Sequence, residues 1–265
     1  MKSRIIFGLY LLLINLTLLT GCTKDKGFEE NITNLESSDN KENDGNKIMS
    51  TDYKDIVNYL FYDSNNSTKI LQVPIDTNLI GTKIISIKCF QDETFKTDNI
   101  TINEDIISSN ILVFELHDYI ESFNKLIIET KKDNKEINVG QYYFEKVPDD
   151  TLEDFDKAKL VQYHSKEVLN SFIGDFKLEG NFDKHDIEMI IPTKLQELNI
   201  IISTFINNNN TFVYECSISD DNFDKNNLKY IYFDSILYQK DRENPNKHYK
   251  IFVCQIPLEK SRTKD

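Results

Sequence analysis

The chain has 265 residues, with 31 Lys and Arg against 44 Asp and Glu, a formal net charge of −13. That balance excludes nucleic acid as a ligand, because such binding is driven by cationic side chains that neutralise phosphates. It also excludes a polybasic dock on anionic lipid. With 8 Gly the chain is poor in phosphate-cradling loops, and with no Trp it lacks the largest flat face for sugars.

Met1–Arg4 form a short positive segment, and Ile5–Thr20 follow as an apolar run broken by Asn15. Charge, then an apolar stretch, then small residues is the pattern of a secretory signal. The run is a little short of the ~20 residues of a spanning helix, which places an uncleaved anchor second. It ends in Leu19, Thr20, Gly21 and Cys22. These four resemble the lipobox of bacterial lipoproteins: a branched aliphatic, two small residues, then cysteine. The resemblance covers only the first 22 residues. It implies that signal peptidase II cuts between Gly21 and Cys22, and that the Cys22 thiol carries a diacylglyceryl group. Two acyl chains suffice for durable attachment where one does not. Loss of residues 1–21 removes Lys2 and Arg4 and takes the charge from −13 to −15. The resemblance thus implies an anchor at the extracytoplasmic face of the cell membrane.

Residues 22–50 are polar, mixed in charge and poor in apolar side chains. Such a segment cannot bury enough surface to order itself, so it reads as a tether with a reach on the order of 30 Å. From Tyr53 to Phe61, apolar residues fall at 53, 56, 57, 60 and 61. That spacing predicts an amphipathic helix, with Thr51 or Asp52 as its cap.

From Lys69 the pattern turns to strands: KILQVPI, TKIISIKCF, NITIN, NILVFEL, KLIIET and GQYYFEKV, separated by turn residues. Ile85, Ile87 and Cys89 alternate with polar neighbours, as in a half-buried strand. Pro148 and two aspartates mark a boundary. Residues 151–173 carry partial helical spacing, with Gly174 as a stop signal. Strand patterns then return and end in a long hairpin around DRENPNK. Short strands at regular spacing predict a mainly β protein of sandwich-like, immunoglobulin-like domains, at 51–148 and 149–265, with one or two short helices.

No nucleophile elbow, P-loop or dinucleotide fingerprint occurs, so no catalytic residue, metal or cofactor is assigned. His185 with Asp183, Asp186 and Glu188 gives a weak oxygen-rich corner, and Asp220–Asn226 resembles the start of a calcium loop without its Gly or terminal Glu. Both read more simply as solvated turns. Cys216 and Cys254 lie on inward strand faces. They pair as a disulfide or pack as free thiols, and Cys89 is left over either way. On the run LKYIYFDSILYQK, Ile231, Phe233 and Leu237 point one way and Tyr230, Tyr232 and Tyr238 the other. An outward tyrosine stripe would serve as a binding platform.

The expected role is a membrane-anchored binding or interaction module for a protein or glycan at the cell surface. A surface hydrolase with a site assembled only in three dimensions, or a structural subunit of an envelope complex, are the alternatives. Cys22→Ser is expected to abolish labelled fatty-acid incorporation and sedimentation with envelopes; unchanged labelling and sedimentation would refute the lipid anchor.

Overall fold

The computed structural model describes residues 55–63, 68–147, 150–151, 157–168, 170–180, 184–208 and 210–260. The lipobox, the tether, Thr51, Asp52, Pro148 and Asp183 lie outside the described residues.

The protein is mainly β. The first eight strands are β1 (Ile56–Asp63), β2 (Lys69–Pro74), β3 (Ile84–Gln91), β4 (Thr94–Thr97), β5 (Ile100–Ile102), β6 (Ile111–Leu116), β7 (Ser122–Thr130) and β8 (Asn134–Val147). Then come β9 (Lys159–Val168), β10 (Ser171–Glu179), β11 (His185–Ile190), helix α1 (Thr193–Glu197), β12 (Ile201–Asn208) and β13 (Thr211–Ile218). Helix α2 (Asp220–Lys225) precedes the closing hairpin of β14 (Tyr230–Asp241) and β15 (His248–Glu259).

The largest sheet has eight strands in the order β11-β14-β1-β8-β7-β3-β4, with β15 also on β14. It takes strands from both sides of residues 148/149. Strand β1 joins the two groups and runs parallel to both neighbours, with Val57 opposite Ile231 of β14 and Gln141 of β8. A three-stranded sheet, β2-β6-β5, and a four-stranded sheet, β12-β13-β10-β9, complete the fold.

Alternation along the strands shows how these layers stack, because successive side chains leave a sheet on opposite faces. Leu60 and Tyr62 of β1, with Tyr142 and Phe144 of β8, join a core that includes Leu71 and Val73 of β2 and Phe114 of β6. Tyr59 of β1 enters a second core with Phe172, Phe176, Phe212, Ile231 and Phe233, and Val57 and Tyr143 pack against it. The small sheets therefore cover opposite faces of the large one, and β1 and β8 are sandwiched between both cores.

This placement corrects the helix expected at 51–62: residues 56–63 are a strand. A strand covered on both faces has no polar side, and its apolar run cannot be told from a buried helix by spacing. The helical reading of 151–173 also fails from 159 onward, where β9 and β10 form an antiparallel pair. Gly174 is no helix stop. It lies inside β10, and a Cβ there would meet the Phe172 and Phe176 rings at 3.0 Å. Glycine leaves the gap in which two fully buried rings sit on one face.

A buried carboxylate ties three strands together. Asp234 of β14 is 3 % exposed. Its Oδ2 accepts from the Phe61 N–H of β1 at 2.8 Å and from Lys69 Nζ of β2 at 2.6 Å. The Lys250 ammonium of β15 also pairs with Asp63 at the end of β1. Asp234→Ala would leave a buried N–H without an acceptor and an ammonium without its anion. It is expected to lower stability by about 2–4 kcal/mol, read as an earlier urea midpoint with unchanged slope; an unmoved midpoint would refute the tie.

Candidate functional site

Adjacent strands place two tyrosines side by side. Tyr59 of β1 is in register with Tyr143 of β8, and their rings stack with centroids 5.3 Å apart. Tyr59 is buried, and Tyr143 is half-buried. Tyr119, in the turn before β7, donates its hydroxyl hydrogen to the Phe144 carbonyl at 3.3 Å. These three rings, with Glu121, Glu145, Pro192 and Lys194, line an open cleft of about 290 Å³.

The far wall of the cleft is the start of α1, and Glu145 holds it there. Its two carboxylate oxygens accept from the Thr193 N–H at 2.6 Å and the Thr193 hydroxyl at 2.9 Å. Pro192, the N-terminal cap residue, makes no side-chain cap bond, so Glu145 supplies the acceptor from another strand. Lys194 is thereby aimed back over the cleft, with Nζ 3.3 Å from the centroid of the Tyr143 ring. A second ammonium, that of Lys146, sits 4.5 Å from the Tyr119 centroid.

The electrostatics follow from burial. Desolvation, helped by the neighbouring Tyr143, pushes the Tyr59 phenol far up. Burial, then the charges of Glu121 and Glu145, raises Tyr119. Burial lowers the Lys194 pKa, with Glu197 and Glu121 opposing. At neutral pH the cleft thus offers neutral, electron-rich rings beside carboxylates. This chemistry suits the docking of a flat or cationic group.

A second cleft, of about 320 Å³, lies over Asp234, Lys69, Asn58, Tyr142 and Gln255. Asp234 already holds two donors there, which marks it as an architectural carboxylate.

The residues singled out from sequence fall elsewhere. Alternation on β14 is as expected: Ile231, Phe233 and Leu237 enter one core, and Tyr238 enters a small third cluster with Phe61, Val147 and Ile236. An outward platform does not form, however. Tyr238 is buried and stacks on His248 at 5.2 Å, and Tyr230 and Tyr232 are half-buried. The cause is that this face of β14 is itself covered: Tyr238 packs with Phe61, Val147 and Ile236 and lies against His248. The calcium-loop resemblance also ends, since Asp220–Lys225 is helix α2. His185 is a buried residue of β11 opposite Asp241, and Asp186 pairs with Arg242. Among the described residues no group of three His, Cys, Asp or Glu side chains is arranged to hold a metal.

The tyrosine cleft itself was missed. Its signal, GQYYFEK beside VNYLFY, becomes readable only once both segments are seen as neighbouring strands.

No family model matches the chain, and no curated protein does. Comparison with solved structures returns, among others, a chimeric titin Z1Z2 at 7 % identity and TM-score 0.25, covering 77 % of this chain and 94 % of that one. A marsupial T cell receptor is 8 % identical at TM-score 0.24, with 76 % and 91 % covered. A DUF3823 family protein from Bacteroides ovatus is 10 % identical at TM-score 0.22, with 72 % and 98 % covered. Likeness at this level says nothing about ligands.

Cys89, Cys216 and Cys254 are free and buried. Burial pushes each thiol from an ordinary value of 9.0 up to about 12. Above pH 9 the unfolded chain sheds these protons while the folded chain keeps them. Stability is therefore full below pH 9 and declines between about pH 9 and pH 12. The native protein is expected to resist a thiol reagent at pH 8 and to react at all three positions in guanidinium; rapid native labelling would overturn the burial.

Proposed function

We propose that the protein is a lipid-anchored binding module of the extracytoplasmic membrane face and that the tyrosine cleft is its ligand site. The observation that carries the reading is the half-buried Tyr143 ring, backed by Tyr59 and open to a cleft of about 290 Å³. Aromatic rings held by strand pairing give contact area at little cost in side-chain entropy, and sites of this size take small ligands or the exposed end of a larger one. The anchor rests on Leu19–Cys22 and their likeness to a lipobox. Among the described residues no helix is long and apolar enough to cross a membrane.

The chain has no Trp, so emission from its 13 tyrosines is free of an indole background, and comparison with Tyr143→Ala isolates the share that comes from the cleft. Detergent-solubilised protein would be titrated with envelope polysaccharide fragments and with surface peptides. A ligand of the module is expected to perturb that emission saturably. Tyr143→Ala should weaken its binding by about tenfold or more, the scale of a buried aromatic anchor. Tyr230→Ala should leave it unchanged. A ligand indifferent to both Tyr143→Ala and Tyr119→Ala would remove the cleft from the reading.

A further inference from the structure

We infer that the tyrosine cleft is an organic-cation site, whose ligand is a small molecule bearing an alkylammonium group, and that Lys194 occupies the place of that group while the site is empty of ligand. This rests on the binding-module reading and names the chemistry of its ligand.

Three observations converge. The Lys194 ammonium stands 3.3 Å over the Tyr143 ring, the position a cation takes on an aromatic quadrupole. Glu197 and Glu121 act on that ammonium through space, so the ring face is its near partner. Tyr119 also presents its face to an ammonium, that of Lys146. Two of the three tyrosine rings lining the cleft thus face an ammonium, that of Lys194 within the lining and that of Lys146 outside it. Tyr59, stacked behind Tyr143, fixes the ring that does the holding, and Glu121 adds a carboxylate to the lining. The net charge of −13 also favours the approach of a cationic ligand within the screening length of the solution.

Lys194 can be displaced. It is exposed, and α1 is fastened through Thr193 and Glu145 rather than through the lysine. Although the residue as a whole is exposed, its Nζ is partly desolvated where it meets the ring, and that desolvation lowers its pKa. When the lysine swings into water, the ring face and the full cleft open to an incoming cation. The resident lysine acts as a built-in competitor that weakens binding of anything not cationic enough to replace it.

The probe is n-butylammonium chloride, which copies the lysine side chain. It would be titrated into the detergent-solubilised full-length protein, followed by tyrosine emission and ligand-observed NMR. n-Butanol and NaCl serve as the neutral and ionic-strength controls. Wild type is expected to bind butylammonium weakly and saturably. Lys194→Ala should bind it about tenfold more tightly, within the range of a partly desolvated cation–ring contact. Lys194→Ala combined with Tyr143→Leu should lose the binding, and butanol should bind none of these forms. Lys194→Gln, with the thermal midpoint measured alongside, guards against loss of α1. Equal binding of butanol and butylammonium, no gain in either Lys194 variant, or a gain that survives Tyr143→Leu would each overturn the inference. If an envelope ligand depends on Tyr143 while butylammonium fails, the cation chemistry falls and the cleft stands. If neither depends on Tyr143, both fall.

Discussion

Strand β1 is the constraint on which the rest of the fold depends. It lies between β8 and β14, parallel to both, with one core on each of its faces. Without it the eight-stranded sheet would part into two groups whose facing edges carry unpaired backbone N–H and C=O groups. The Asp234 carboxylate reinforces that position from β14 by accepting a β1 backbone N–H and a β2 ammonium on a single oxygen. Buried charge is costly unless paired and hydrogen-bonded; here one oxygen serves a hydrogen bond and an ion pair, each fixing a different strand.

The cleft follows from the same arrangement. Parallel registry of β1 and β8 brings Tyr59 and Tyr143 level and stacks them. The next same-face residue of β8, Glu145, then meets Thr193 and fixes the short helix that carries Lys194. A ring, a carboxylate and an ammonium are thus set by one strand and its neighbours, with little dependence on flexible loops. Sites built on strands hold their geometry more firmly than sites built on loops.

Apart from β9 and the start of β10, whose spacing read as helical, most strands from Lys69 onward were legible, because they had a polar face or a turn at their ends. TFVYECSIS is such a case, with Phe212, Tyr214 and Cys216 inward. The alternation on β14 was legible too, down to which face Phe233 and Tyr238 take. What could not be read was which strands were central. β1 looked helical because both its faces are covered, and the tyrosines of β14 looked outward because nothing local reveals that residues of other strands, such as Phe61 and His248, cover that face as well. The cleft was invisible for a related reason: Tyr59, Tyr119, Tyr143 and Lys194 are far apart in the chain and meet only through strand order, which spacing does not encode.

The position of β1 also orders events during synthesis. Among the described strands it leaves the ribosome first, yet it pairs with Ile231 and its neighbours on one of the last. Its pairing with β8 can close once residue 147 is made, but its edge toward β14 stays unpaired until almost the whole chain has been made, and contacts of such long range close slowly.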